Sequence, residues 1–297
     1  MVIVRLRGGL GNQLFQYAAG KALALKHEVQ LKLDLYTYTL HKYRSFELDN
    51  FCTNPEIAEQ SEINNLIGRF KIQRLLNKFN HYSFSDKAFA QPHYHFVADF
   101  FDLPKDIYLS GYWQSEKYFE DIQDIIRAEI QPKSPIDDQN KSLIDQLNVE
   151  NSVSVHIRMG DYKNLRKYKT FFGGLGSEYY KNAIELVQSK TENPRFYFFS
   201  DNIAWCQKEF SEVDNAYFVD QNTGEKSFMD MVLMSNCQHN IIANSTFSWW
   251  GAWLNSNLDK IVIAPKNWFQ SKYNKKSVYK SQYYDTKDLL PEKWIKL

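Results

Sequence analysis

The sequence predicts an α/β protein built in two domains. Short apolar runs alternate with amphipathic stretches of helical period, which favours layered sheets and helices over an all-helical or all-β chain. A length of 297 residues suits two domains, each of roughly 100–200 residues. The polar, proline-bearing stretch from Gln131 to Asn140 reads as the junction, so the domains are expected at 1–145 and 146–297.

Taken in order, Val2–Leu6 reads as an apolar strand and runs into Arg7-Gly8-Gly9-Leu10-Gly11. Asn12 is expected to cap a helix reaching about Leu25, with Leu14, Phe15, Ala18, Ala22 and Leu25 on one side. Val29–Asp34 is a second strand. From Tyr36 to Pro135 aromatics and prolines are mixed, and only Ile63–Leu76 and Asp121–Ile130 show a helical pattern. The second half is more regular. Strands are expected at Val153–Ile157, Arg195–Phe199, Ala216–Val219, Asn240–Ala243 and Ile261–Ala264, and helices at Ser177–Val187, Ser227–Asn236 and Trp249–Leu254. Such repetition describes a nucleotide-binding half whose ligands sit at the carboxyl ends of its strands.

Bulk properties exclude several classes. A formal net charge of +1 lacks the basic excess that nucleic-acid binding needs. Three cysteines, Cys52, Cys206 and Cys237, form neither an even disulfide set nor a metal-binding spacing. The amino terminus lacks the long apolar region of a signal peptide, and no apolar run spans a bilayer, so a cytoplasmic protein is expected. From Lys266 to Leu297 eight lysines stand among Tyr273, Tyr279, Tyr283, Tyr284 and Trp294. That run reads as a solvated closing segment. It also suits peripheral contact with an anionic membrane surface, where each lysine contributes about 1 kcal/mol; a lipid-linked acceptor would fit such contact.

Three clusters carry chemistry. In Val153-Ser-Val-His-Ile-Arg-Met-Gly-Asp161 a buried strand delivers His156, Arg158 and Asp161. A guanidinium there can grip a diphosphate through paired charge-assisted bonds, or form a structural pair with the aspartate. In Phe196-Tyr-Phe-Phe-Ser-Asp201-Asn202 the carboxylate of Asp201 can accept the adjacent donors on guanine's edge; Ser200 or Asp201 can equally cap the next helix. In Asn240-Ile-Ile-Ala-Asn-Ser-Thr-Phe-Ser-Trp-Trp-Gly-Ala-Trp253 a run of small hydroxyl residues precedes a helix. Amides at a helix start bind phosphate with the macrodipole behind them, while Trp249, Trp250 and Trp253 pack inside.

Together with Arg5-Leu-Arg-Gly-Gly-Leu-Gly-Asn-Gln-Leu-Phe-Gln16, these motifs resemble the bacterial α-1,2-fucosyltransferases of glycosyltransferase family eleven. The resemblance runs along nearly the whole chain, in the family's motif order. It implies a GT-B-like fold of two Rossmann-like domains facing a cleft, with an amino-terminal acceptor-side domain and a carboxyl-terminal GDP-fucose-binding domain. It also implies a GDP-fucose donor, inversion at the anomeric carbon, a galactose-containing glycan acceptor and no metal or other cofactor. On that resemblance Arg158 grips the β-phosphate, His156 and Asp201 lie by the guanosine, and Ser245, Thr246, Phe247 and Ser248 complete the phosphate cradle, with Asn244 among the GDP-fucose-binding residues. Gly11 and Asn12 approach fucose and pyrophosphate from the other domain. Two residues depart from the pattern: Met159 stands where the family usually has a second arginine, and Asn202 replaces a common aspartate.

Residue patterns agree with the absence of metal. No Asp-x-Asp pair occurs, although hard cations require such oxygens, and Arg158 with main-chain amides can neutralise the leaving diphosphate instead. Leu14 breaks a dinucleotide fingerprint after Gly9-x-Gly11, and Phe15 breaks a Walker motif ahead of Gly20-Lys21. The expected catalytic set is Arg158, Asp161 and Asn12, with Asp161 as base. Two other readings stay open: a related transferase using another GDP-sugar, and a glycan-binding module without catalysis.

Overall fold

Fully buried Val2, Ile3 and Val4 open strand β1 (Val2–Arg5) in a computed structural model that describes residues 1–40, 44–67, 86–159, 175–269 and 285–297. The chain turns at Gly8, whose φ of +87° favours glycine; a Cβ there would stand 2.5 Å from Asn12 Nδ2. Helix α1 (Leu10–Lys26) follows with Gly9 at its N-cap, so Asn12 is not the expected cap. Instead it lies in the first turn, its N–H donating to Gly9 O at 2.9 Å. The helix buries most of its circumference, including Leu14, Phe15, Tyr17 and Leu23, whereas Leu25, expected on the apolar side, is exposed.

Strand β2 (Leu31–Asp34), helix α2 (Tyr36–Leu40), strand β3 (Glu56–Ile57), helix α3 (Gln60–Ile67), strands β4 (Ala88–Ala90) and β5 (Ile107–Ser110), and helix α4 (Gln123–Glu129) complete the first unit's main elements. Among the described residues its strands form one parallel sheet in the order β3-β2-β1-β5-β4. The expected helix at Ile63–Leu76 begins three residues earlier, and its part beyond residue 67 lies outside the described residues. β3 and β4 are too short to show a period of two, and none was expected there.

The second unit begins with helix α5 (Asp138–Val149), which no expectation included. Asp137 caps it by accepting from Asn140 N at 3.0 Å. The compact units change between Lys133 and Ser134; Leu289 returns to the first unit, while Leu290–Leu297 belongs to the second. A boundary at 145/146 would therefore cut α5. The polar residues read as linker include that helix's own start signals.

Strand β6 (Ser152–Ile157), helix α6 (Ser177–Gln188), strand β7 (Arg195–Ser200), helix α7 (Ile203–Glu209), strand β8 (Ala216–Val219), helix α8 (Phe228–Ser235), strand β9 (His239–Ile241), helix α9 (Thr246–Leu254) and strands β10 (Val262–Ala264) and β11 (Ile295–Lys296) follow. Among the described residues they make a parallel sheet in the order β11-β10-β9-β6-β7-β8. Central β6 is buried throughout; its Val155 stands opposite both Phe198 and Ile241. Val153, Val155 and Ile157 pack with Phe196 and Phe198 against Tyr180, Ile184 and Val187 of α6.

The chain's end departs from the expected solvated segment. β11 pairs with β10, Trp294 and Leu289 are buried, and Lys266 N donates to Leu297 O at 2.6 Å. Lys272, Lys275, Lys276, Lys280 and the tyrosines at 273, 279, 283 and 284 lie outside the described residues. Among the described residues no helix is long and apolar enough to cross a membrane.

Gly20 is where α1 meets the first sheet: a Cβ there would overlap Val4 Cγ2 and stand 3.0 Å from Leu31 Cδ1. In an open helix Gly→Ala stabilises by up to about 1 kcal/mol. Here Gly20→Ala should instead cost roughly 1–3 kcal/mol through overpacking, read as a lower urea midpoint.

Candidate active site

In open parallel sheets, ligands bind outside the carboxyl ends of the strands where the direction of winding reverses. In the second unit that point lies between β6 and β9: β7 and β8 extend one way, and β9, β10 and β11 the other. Parallel pairing brings Ile157 level with Ser200, so the residues leaving β6 and β7 emerge together. They are Arg158 and Met159 on one side and Asp201 and Asn202 on the other. Beyond β9 come Asn244 and Ser245, leading into α9.

Asp201 ties the strand exits together. Its Oδ1 accepts from Met159 N at 2.8 Å, and Oδ2 stands 3.5 Å from Arg158 Nε. Each of the two charged side chains is about a quarter exposed, at 25% and 26%. The pair orients the guanidinium while leaving it open to solvent on one side. Helix α7 takes its cap from Asn202, whose Oδ1 accepts from Trp205 N at 3.3 Å. The cap, expected from Ser200 or Asp201, thus comes from Asn202, and Asp201 is left to pair with Arg158.

His156 is the last but one residue of β6 and only 5% exposed. Its ring lies 5.7 Å from that of Phe247, in the first turn of α9, so these two side chains meet across the switch point. Burial, and then the neighbouring Arg158 cation, hold its pKa far below the ordinary 6.5 against the opposite pull of Asp201. The imidazole is therefore neutral. Its Nδ1 is buried with no hydrogen-bond partner among the described residues.

Ser245 is the N-cap of α9 and makes no side-chain hydrogen bond to the turn. The amides that open a helix have no acceptor within it, and the helix dipole favours an anion there. Thr246 and Phe247 occupy this turn, half-buried. Asn244 and Ser248 are placed differently. Asn244 is buried and its Nδ2 donates to Trp268 O at 3.2 Å; Ser248 is fully buried and its Oγ donates to Ser245 O at 3.3 Å. Asn244 braces the loop, and Ser248 braces the first turn of the helix against its cap. Trp249 and Trp250 are fully buried, and Trp294 packs 5.5 Å from Trp249, which locks the helix in place. Sequence reasoning missed that last contact and the bond from Tyr179 Oη to Ile242 O at 2.8 Å; neither pair is linked by spacing.

In the first unit Gly11 and Asn12 are the second and third residues of α1. Asn12 Oδ1 accepts from Gln114 Nε2 at 2.7 Å, a partner distant in sequence and carrying no motif signal. Gln16, further along α1, accepts from Arg7 N at 2.9 Å and donates to Gly111 O at 3.2 Å. It staples the exit of β1 to that of β5.

A family model described as glycosyl transferase family 11 matches residues 1–286. The protein is a member of that family. An α-1,2-colitosyltransferase of Escherichia coli is 36% identical over 304 residues, covering 100% of this chain and 99% of the relative. A galactoside α-(1,2)-fucosyltransferase 1 of Leontocebus fuscicollis is 26% identical over 156 residues, covering 49% of this chain and 42% of its own. The crystal structure of the fucosyltransferase NodZ from Bradyrhizobium superposes with a TM-score of 0.50 at 14% identity, over 84% of this chain and 90% of that one. That likeness concerns the fold, which is GT-B-like with two parallel α/β sheets.

In this family 11 chain Met159 occupies the position after Arg158. Its side chain packs on the core of the second unit while its N–H holds Asp201. Asp161 lies outside the described residues. Among the described residues no group of three or more His, Cys, Asp or Glu is arranged to hold a metal.

The neutral state of His156 has a thermodynamic consequence. With its pKa lowered in the folded chain, the unfolded chain binds the extra proton first, so stability falls as pH drops below 6.5, by up to about 1.4 kcal/mol per pH unit for one proton. His95 and His239 are also lowered by burial. Comparing the native chain with His156→Asn isolates this ring: the variant's melting temperature should decline less steeply from pH 6.5 towards pH 5.

Proposed function

We propose that this glycosyltransferase moves L-fucose from GDP-β-L-fucose to the 2-hydroxyl of a galactoside, with inversion and without a metal. The reading is carried by one juxtaposition: Arg158, held by Asp201, at the same sheet edge as the start of α9. A guanidinium and a helix terminus supply what a departing nucleoside diphosphate requires, fixed positive charge and aligned N–H donors.

In the proposed step the acceptor oxygen forms its bond to the fucosyl carbon as the bond to the β-phosphate oxygen breaks. The electron pair of that bond leaves with GDP, and the acceptor's proton passes to a base. Arg158 and the amides of Thr246 and Phe247 stabilise charge that grows on the leaving oxygen, so they act more on the transition state than on bound substrate. His156, neutral and beside Phe247, adds no second positive charge and can hydrogen-bond the nucleoside. Asp161 is the proposed base on the strength of the sequence alone.

A second reading draws on the E. coli colitosyltransferase similar along the full chain. Colitose is fucose without its 3-hydroxyl, so donor choice turns on whether that hydroxyl meets a hydrogen-bonding group. A site that does bond it rejects the deoxy analogue strongly, whereas a site that does not discriminates weakly.

Incubation with GDP-fucose and a panel of β-galactosides in EDTA, followed by linkage analysis, should yield an α-1,2-linked product; loss of transfer on chelation would refute the metal-free scheme. Replacing GDP-fucose by GDP-colitose in parallel decides between the donors by kcat/KM. Arg158→Ala should lower kcat by about 10²–10³, with a smaller change in the donor KM. Asp161→Asn should lower transfer by about 10²–10⁴, and a near-native rate would remove that residue as base.

A further inference from the structure

The first unit has its own switch point, of which the sequence motifs mark only the β1 side, through Arg7. From β1 the chain winds outward through β2 and β3, then returns to the other side as β4 and β5, so the reversal lies between β1 and β5. Past the carboxyl ends of those strands come Arg7 on one side and Gly111, Tyr112, Trp113 and Gln114 on the other. The same geometric rule that locates the anion-favouring end of the second unit marks this point as a ligand position.

Polar atoms at this point lack partners. Arg7 Nε, Trp113 Nε1 and Gln114 Oε1 are each buried with no hydrogen-bond partner among the described residues. A buried polar group left unpaired is costly, and three fall within this one pair of strand exits. Two of these are donors and one is an acceptor, and Gln91 Nε2, on the residue that braces the turn, is a further buried donor with no hydrogen-bond partner among the described residues. Trp113 and Gln114 are at most 5% exposed.

The backbone is strained at the same place. Trp113 has φ of +56°, a region that bulky side chains rarely occupy. Gln91 maintains it: its Oε1 accepts from Tyr112 N at 2.7 Å and from Trp113 N at 3.1 Å. Gly111 has no room for a side chain, because a Cβ would lie 2.6 Å from Trp113 Cε2 and from Gln91 Cβ. The Arg7 guanidinium lies 4.2 Å over the Tyr112 ring, which orients its N–H groups. Gln114 turns its Nε2 to Asn12, which directs Oε1 elsewhere. These contacts hold the unpaired atoms in fixed positions rather than relieving them.

We infer that the β1–β5 switch point binds the hydroxyls of the acceptor's sugar, with Arg7 and Trp113 donating and Gln114 accepting. A sugar hydroxyl both donates and accepts, so neighbouring hydroxyls match a set of two donors and one acceptor. A phosphate would have no use for the acceptor Gln114 Oε1. This inference rests on the glycosyltransferase reading above and adds to it the residues that hold the acceptor.

Arg7→Lys keeps a cation over Tyr112 but removes the guanidinium Nε–H; Trp113→Phe keeps a ring but removes the indole N–H. Each variant, checked for native folding by its thermal transition, is titrated with GDP by calorimetry and assayed with GDP-fucose and a panel of β-galactosides. The acceptor KM should rise about tenfold in each, with GDP affinity within twofold of native. Should Trp113→Phe fail to fold, Arg7→Lys carries the test. An unchanged acceptor KM overturns the inference and assigns the unpaired atoms to ordered water. A parallel loss of GDP affinity overturns it by giving the switch point to the donor. Donor hydrolysis by the native chain with no galactoside accepted also overturns it. Absence of GDP binding in the native chain is a separate result, which removes the proposed function first.

Discussion

The contact between Asp201 and the residues after β6 fixes the geometry at the carboxyl edge of the second sheet. Arg158 leaves the sheet where the strand ends, and nothing in the ladder fixes its side chain beyond that point. Asp201, one place past β7, holds both the guanidinium and the Met159 N–H. An ion pair this exposed adds no more than about 1 kcal/mol to stability. A correctly aimed donor on a developing oxyanion is worth about 3–4 kcal/mol in the transition state. The pair matters for where it points the charge, and much less for holding the fold.

The surroundings of that pair are stiff. α9 is anchored by tryptophans packed on one another and on Trp294, so its first turn cannot drift from the strand ends. Ser248 and Asn244 spend their polar atoms on the helix's first turn and on the loop. The amides of the turn and the half-buried Ser245, Thr246 and Phe247 are what remain facing outward. His156 completes the edge as a neutral group. A protonated ring beside Arg158 would meet a like charge in a buried setting, and both effects oppose it.

Both sheets obey one topological rule, yet they present different chemistry at their switch points. The second unit offers a guanidinium and a helix terminus, suited to an anion. The first offers an arginine held against a tyrosine, an indole N–H and two glutamines, one bracing a strained turn. An amide-rich edge suits neutral hydroxyl groups, because it supplies donors and acceptors in similar number.

Several features were legible in the chain by itself. The strand leading to His156 and Arg158, the strand leading to Asp201 and the helix that carries Trp249 follow from apolar runs and local period, since each is a local pattern, although that helix begins at Thr246, three residues before the expected start at Trp249. The family followed from motifs that are contiguous in sequence. Other features depend on contacts between distant residues, which no spacing encodes. Gln114 reaching Asn12, Trp294 reaching Trp249 and Gln16 spanning Arg7 and Gly111 belong to this group. Polar linkers and polar caps use the same residues, so the stretch from Gln131 to Asn140 holds both the change of unit after Lys133 and the start of a helix at Asp138. Sequence alone determined which residues leave the strand ends; tertiary packing decided which kept polar atoms without a partner and which spent them on the loop. The physical reason is that a polar atom's role depends on whether folding has already given it a partner.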